Sequence, residues 1–347
     1  MKVLRHILIS VMAIIAIGSC STTRVLQDGE YRLAKNKIKT DNPKEFNVSQ
    51  LSPYLKQQPN TYFIFGWNPF LNLYNMSNGK GKAWDRFVQK VGVAPIVYNP
   101  ELVDLSIDNL KNHLSHMGYY GSQITSDIRV KKKRVEVTYN VKLGKRIPIK
   151  EIDYVLPKKG PFAEAFIKDT ANMTIKPGDW LSESALDAET VRSSAVLRNE
   201  GFYSFNKNYY FFEADTLSIP DSAILKMTIN KYTRNEEPSE AHPIIKYKFN
   251  QVSISYPENL KIRNSLLEEL NTIKPGQTYS TDNVNNTYSR LSALRVFSSV
   301  NIGITPADTN LIDCKINLSQ SKLQGFKVNM EASTNSTGLF GVSPQLS

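Results

Sequence analysis

The sequence predicts an α+β chain in which one small unit is used three times, each a three-stranded sheet covered by two helices. Three observations predict it. The turn Ile175-Lys176-Pro177-Gly178 recurs as Ile273-Lys274-Pro275-Gly276, each copy followed by a serine, Ser182 or Ser280. The helical patterns that follow run into aromatic turns, Gly201-Phe202-Tyr203 and Val296-Phe297-Ser298, and a third such turn, Gly118-Tyr119-Tyr120, lies upstream. Each aromatic turn is followed by two segments of period-two alternation, the mark of a hairpin with one buried face. Self-similarity of this kind signals repeated supersecondary units.

The order strand, helix, helix, strand, strand can be followed along the chain. In the first unit the leading strand runs from Tyr31 to Ile38, and Leu102, Leu105, Leu110 and Leu114 mark the second helix. The hairpin goes out through Ile124, Ile128 and Val130 and turns at Lys131-Lys132-Lys133-Arg134. It returns through Val135, Val137, Tyr139, Val141 and Leu143. In the second unit Ile149 to Val155 leads, and Leu186, Val191, Ala195 and Arg198 suggest a less regular helix face. Tyr209 to Phe212 goes out, and Leu225, Met227 and Ile229 return after Pro220-Asp221. The third unit has a strand from Tyr247 to Tyr256 and a short helix from Ile262 to Leu270. Its second helix shows Val284, Tyr288, Leu291 and Leu294 on one face at helical spacing. Val300, Ile302 and Ile304 then lead to a turn at Pro306-Ala307-Asp308, and Ile312, Cys314, Ile316 and Leu318 come back. A sheet with one apolar face has to be covered, and two amphipathic helices supply the cover.

The start of the chain carries a different signal. Lys2 and Arg5 precede an apolar stretch from Ile7 to Ile17, and Gly18-Ser19-Cys20 follows. A basic start, a short apolar core and small residues before a cleavage site make a secretory signal, too short to span a bilayer. With Cys directly after the small residues it is the pattern of a bacterial lipoprotein, in which the thiol of Cys20 is acylated. Only Cys314 then remains, so no intrachain disulfide is expected, and its phase with Ile312 and Ile316 predicts a small buried core residue. Loss of Lys2 and Arg5 lowers the formal charge from +11 to about +9. Such a balance suits anionic lipid, an acidic partner or simply a solvated basic surface, and export argues against nucleic acid.

The recurring order and its aromatic turns, with Arg295-Val296-Phe297-Ser298-Ser299-Val300 in the last copy, resemble the POTRA domain of the BamA/TamA superfamily of outer-membrane assembly factors. The segment Val25-Leu26-Gln27-Asp28-Gly29-Glu30-Tyr31, with Leu33 and Asn36-Lys37-Ile38, is most similar to the lipid-anchored TamA-like (TamL) proteins of Bacteroidetes. The implied division is a leader at 1–20, a tether at 21–30, and POTRA-like domains at 31–146, 147–233 and 244–320. The first domain would hold an aromatic-rich insertion near 60–98. Gly325 to Glu331 reads as a further strand and Asn335-Ser336-Thr337-Gly338 as its turn, so 321–347 is expected to be the incomplete first strand of a truncated outer-membrane β-barrel. The resemblance implies outer-membrane location with the domains in the periplasm, and a non-enzymatic role without cofactor or metal. It also implies client outer-membrane proteins held by β-strand addition and a TamB-like periplasmic partner. A second reading stays open, a stand-alone lipid-anchored envelope scaffold or peptide-binding lipoprotein.

Beside Cys20, two groups of residues are candidate contacts with membrane or partner. Phe63, Phe65, Trp67 and Phe70 fall in the insertion, which also carries Trp84. Such aromatics suit a membrane interface or a peptide cleft, and they equally suit a local mini-core. Lys80, Lys82, Arg86 and Lys90 lie close by, without the spacing of a phosphate-binding loop. Lys131, Lys132, Lys133 and Arg134 form a basic hairpin tip that is either solvated or turned to anionic lipid or an acidic partner. His113 and His116 stand three apart on a helix, but no further ligands accompany them at metal spacing, so solvent-exposed histidines are expected. No nucleophile, acid/base pair or nucleotide loop appears at recognisable spacing.

Overall fold

The computed structural model describes residues 22–61, 68–79, 81–241, 243–257, 262–320, 328–334 and 340–346, the last two stretches by their backbone alone. Three mixed sheets of one strand order run through it. Strands β1 (Arg32–Thr40), β2 (Gln123–Lys131) and β3 (Arg134–Lys142) form a sheet ordered β1-β3-β2. Strands β4 (Ile149–Val155), β5 (Tyr210–Asp215) and β6 (Ala223–Ile229) repeat it as β4-β6-β5. Strands β7 (Lys248–Ser255), β8 (Phe297–Asp308) and β9 (Leu311–Gln320) give β7-β9-β8. In each, the last strand is central, parallel to the first and antiparallel to the second. The chain divides into two compact units, Met1–Pro148 with Trp180–Ala185, and Ile149–Asp179 with Leu186–Ser347.

The central strands carry the cores because their alternating residues face the helices. Val135, Val137, Tyr139 and Val141 of β3 are buried with Leu110 and Leu114. Ile312, Cys314, Ile316 and Leu318 of β9 are buried with Leu267 and Leu291. Cys314 is therefore the small core residue its phase predicted. Each such Val, Leu or Ile side chain contributes about 1.5–3 kcal/mol on burial. The second core is built from Phe162, Phe166, Phe202, Phe205 and Tyr210 with Met227 and Ile229 of β6.

The helices are α1 (Pro69–Tyr74), α2 (Ala83–Val91) and α3 (Pro100–His116) in the first domain. In the second they are α4 (Pro161–Thr170) and α5 (Glu183–Asn199), and in the third α6 (Asn264–Leu270) and α7 (Thr281–Ala293). A 3-10 helix, Val48–Tyr54, stands where the first domain's opening helix belongs.

Several expected helix faces are corrected. In α3 the buried residues are Val103, Ser106, Leu110 and Leu114, and Leu105 is exposed. In α5 Val191 and Ala195 face out, while Leu186, Glu189, Thr190, Ser193, Ser194 and Leu197 face in. In α7 Tyr288 is exposed and Thr287 takes its place inward.

One device explains the displaced phase. A buried polar side chain of the second helix accepts a hydrogen bond from a backbone N–H of the segment after the first helix. Ser106 Oγ takes Lys56 N at 2.9 Å. Glu189 Oε2 takes Thr174 N at 2.9 Å. Thr287 Oγ1 takes Thr272 N at 3.0 Å. A buried backbone donor has to find a partner, so a polar residue sits where apolar periodicity expects an aliphatic one.

The insertion leaves and re-enters the first domain at adjacent points. Gln57 Nε2 donates to the Val97 carbonyl at 2.6 Å, and Asn60 Nδ2 donates to the Ala94 carbonyl at 2.8 Å. Asn60 Oδ1 in turn accepts from Ile96 N at 3.1 Å.

Two expectations at the end of the chain change. The Pro306-Ala307-Asp308 turn is instead the end of β8, with a bulge between Pro306 and Asp308, and the reversal falls at Thr309-Asn310. A bulge on an edge strand is a site where proline is tolerated. In place of one strand after the third domain there are two, β10 (Val328–Thr334) and β11 (Phe340–Leu346), paired antiparallel. The expected turn at 335–338 lies outside the described residues.

Candidate functional site

Each sheet has two edges, and they are not equally open. The leading strand of every sheet is covered at its start by the segment that precedes the second helix. Leu33 N donates to Ile96 O at 2.8 Å, Ile149 N to Asp179 O at 2.8 Å, and Phe249 N to Gln277 O at 2.9 Å. In the first domain Pro95-Ile96-Val97 thus does what the Ile-Lys-Pro-Gly turn does in the other two.

The opposite edges are β2, β5 and β8. Arg234 Nε donates to the Tyr210 carbonyl of β5 at 3.0 Å. The Tyr203 hydroxyl donates to the Ile304 carbonyl of β8 at 3.3 Å. On β2 the two-residue turn makes Lys131 and Arg134 a hydrogen-bonded pair, so the N–H and C=O of Ile124, Ser126, Ile128 and Val130 point away from the sheet. Among the described residues none of these eight groups has a hydrogen-bond partner. Along the same stretch the side chains of Ile128 and Val130 are 45% and 56% exposed. An edge with free donors, free acceptors and uncovered apolar side chains is what an added strand requires.

The basic tip adjoins this edge and is divided in role. Lys132 and Lys133 form the turn with φ of 49° and 55°, the left-handed region that a hairpin of this length demands and that lysine rarely adopts. Lys133 Nζ donates to the Gln27 carbonyl at 3.2 Å and lies 3.3 Å from Asp28 Oδ1, so it ties down the start of the described chain. Lys131, Lys132 and Arg134 are exposed, and Lys131 and Arg134 face each other across the hairpin. Like charges opposed in this way destabilise the turn slightly.

Of the aromatic candidates, Phe63, Phe65 and Trp67 lie outside the described residues, as does Cys20. Phe70 is on α1 and is 47% exposed. The insertion holds a small core of its own in Leu71 and Val88, which are fully buried. Asn75 Nδ2 donates to the Leu71 carbonyl at 2.8 Å, and Asp85 Oδ1 accepts from Asn78 N at 2.7 Å and Ser77 Oγ at 3.3 Å. Its other face is open: Trp84 and Phe87, 5.8 Å apart, are each about half exposed.

His113 is half-buried, which corrects the expectation of a solvent-exposed ring there, whereas the His116 side chain is 40% exposed, as expected. His113 stacks on Tyr54 with ring centroids 3.6 Å apart, and burial together with His116 holds its pKa below the ordinary value. His116 Nδ1 lies 3.2 Å from Glu183 Oε2. Among the described residues no group of three His, Cys, Asp or Glu side chains could hold a metal ion. Burial pushes the Cys314 thiol up to about 11, away from reactivity.

Inside the second compact unit the second and third domains meet through a defined joint. Arg198 Nη2 donates to the Tyr279 hydroxyl at 2.9 Å, and Asn199 accepts from Asp282 N at 2.9 Å. Tyr203 packs edge-on against Tyr247 and Tyr279, and the Gly201 carbonyl accepts from Tyr247 N at 2.9 Å. Sequence reasoning found the aromatic turn but not this use of it.

Comparison with known proteins bears on the fold. Residues 36–144 match the POTRA family model, described as a surface antigen variable number repeat. No curated protein matches the chain. Among solved structures the chain is similar to POTRA domains 3–5 of Haemophilus influenzae BamA. Identity is 14% and the TM-score 0.43, covering 85% of this chain and 100% of that one. It is also similar to Haemophilus ducreyi BamA lacking POTRA domains 1–3, at 12% identity and a TM-score of 0.39, covering 50% of this chain and 29% of that one. A third likeness is to POTRA1–3 of the periplasmic domain of Omp85 from Anabaena. Identity there is 9% and the TM-score 0.26, with coverage of 85% and 97%. The second and third domains repeat the strand order of the region matched by the family model, so the fold is that of tandem POTRA domains.

Proposed function

We propose that the chain is the periplasm-facing part of an outer-membrane protein assembly and translocation factor of the BamA/TamA type, closest to the lipid-anchored TamA-like proteins. It is non-enzymatic and tethered through acylated Cys20. The observation that carries this reading is the outer edge of β2, where eight backbone groups from Ile124 to Val130 stand without partners beside the exposed Ile128 and Val130. Such an edge pairs with an extended client segment through main-chain hydrogen bonds that are indifferent to sequence, and the apolar side chains select alternating strands such as those of outer-membrane barrels. β5 and β8, each with one carbonyl already engaged, are the lesser edges. The TamL-type assignment further implies a TamB-like partner and a barrel beginning at β10.

The edge is tested by a photo-crosslinking residue at Ser126, with and without Ile128→Pro. Proline there removes an outward N–H and leaves the β2–β3 ladder intact. Adducts with outer-membrane barrel chains that fall several-fold in the proline variant support the reading. Adducts unchanged by Ile128→Pro, with the fold intact by circular dichroism, refute strand addition at β2.

A further inference from the structure

The insertion of the first domain ends in an amphipathic helix whose apolar face is turned outward. On α2, at about 100° per residue, Phe87, Val91, Trp84 and Val88 form one apolar stripe roughly 100° wide. Of these four only Val88 is buried; Trp84 is 50% exposed, Phe87 53% and Val91 44%. Phe70 and Val93, joined by the hydrogen bond from Val93 N to the Phe70 carbonyl at 3.0 Å, expose two more apolar side chains beside it. Leaving a tryptophan and two phenylalanines in water is costly, and contiguous patches of this kind mark interaction surfaces.

The cations around the stripe indicate what covers it. Lys82, Arg86 and Lys90 are exposed, and none is in an ion pair among the described residues. Arg86 and Lys90 lie on the arc next to Phe87, so cationic heads flank an aromatic body. That is the composition of a helix lying in the plane of an anionic bilayer surface.

The position of the insertion agrees with this. Arg24 Nη2 donates to Asn78 Oδ1 at 2.6 Å and Val25 N to Asn75 Oδ1 at 3.4 Å, so the start of the described chain is bound to the insertion itself. Cys20 precedes Thr22 by two residues, a reach of at most about 7 Å. Lys133 holds the same segment at Gln27 and Asp28, which brings the basic hairpin tip to this end of the domain as well.

We infer that α2 and its flank at Phe70 and Val93 form a membrane-docking face, which seats the first domain on an anionic lipid bilayer beside the chain's own start. The occupant is the bilayer surface, contacted by rings and aliphatic side chains at headgroup depth and by Lys82, Arg86 and Lys90 at the phosphates. With the function proposed above it shares only the placing of the chain's start at a membrane; strand addition at β2 stands or falls separately.

The test uses the full chain with Trp67→Phe and Trp180→Phe, which leaves Trp84 as the one tryptophan. It is mixed with vesicles containing phosphatidylglycerol and a brominated phospholipid. Quenching of Trp84 emission by at least about half, with a blue shift, is expected at a headgroup-depth site. The Phe87→Ser/Val91→Ser variant should reduce quenching several-fold. Because both side chains are exposed, its melting temperature should stay unchanged. Trp84 emission insensitive to brominated lipid overturns the proposal. So does a change in emission that follows protein concentration without lipid, which would make the face a contact between copies.

Discussion

Gly118 and Gly201 end the second helices of the first two domains at φ of 88° and 108°, and the next residue donates five residues back. Tyr119 N reaches Leu114 O at 2.8 Å and Phe202 N reaches Leu197 O at 3.2 Å, which turns the aromatic ring into the core. In the third copy Arg295 occupies this position at φ 55°. Sequence reasoning registered the aromatic but not the conformation, because an arginine carries no sign of a left-handed backbone.

Gly201 also has no room for a side chain: a Cβ would meet Thr278 Cγ2 at 2.6 Å. Gly201→Ala is therefore expected to destabilise the second compact unit by about 2 kcal/mol, through both the positive φ and the clash. Denaturant titration reads the loss, and Thr278→Ser, which removes the clashing methyl, should recover part of it. No recovery in the double variant would mean that backbone strain alone is responsible.

At the scale of elements, α4 and α5 are joined by a buried ionic network instead of an apolar seam. Arg192 bonds Asp169 through two nitrogens, at 3.0 and 2.7 Å, and reaches Glu189 Oε1 at 2.6 Å. Ser193 Oγ also donates to Asp169, at 2.9 Å. Burial pushes the Glu189 carboxyl up, but hydrogen bonds from Arg192 and Thr174 outweigh it and hold the pKa below the ordinary 4.5. A carboxyl depressed by folding contributes stability that is complete above its unfolded value and is lost as pH falls through the folded one. Acid unfolding of the second domain should thus steepen below about pH 4.5. Glu189→Gln should cost about 3 kcal/mol at neutral pH and flatten the acid limb, as followed by thermal melts across pH. A variant that keeps the parent's acid limb would assign it to another group.

The network also explains where element-level reading succeeded. β3, β6 and β9 were legible because apolar residues, Val, Ile, Leu and Met among them, alternate along their buried faces. The face of α5 was not, since the residues that turn inward include Glu189, Thr190, Ser193 and Ser194. Val191 and Ala195 then supply a misleading period on the outside.

For the whole molecule the repeated strand order was visible in the turns and alternations, whereas the open edge was not. Openness at β2 depends on what other segments cover, such as Ile96 over β1 or Arg234 over β5, and no local pattern encodes that. The start of the chain shows the reverse: Cys20 lies outside the described residues, and its role rests on sequence alone. Cys20→Ser should abolish incorporation of labelled palmitate in a bacterial host that processes lipoproteins. Labelling that persists in the variant would remove the tether.

The hydrogen bonds that pin Gln57 to Val97 and Asn60 to Ala94 have a consequence for descent. A frame whose two cut ends are already clasped can gain, lose or exchange everything between them without disturbing the register of β1 on β3. The aromatic helix α2 is in that sense a cassette, and lineages that share the sheet are free to differ in what they carry there.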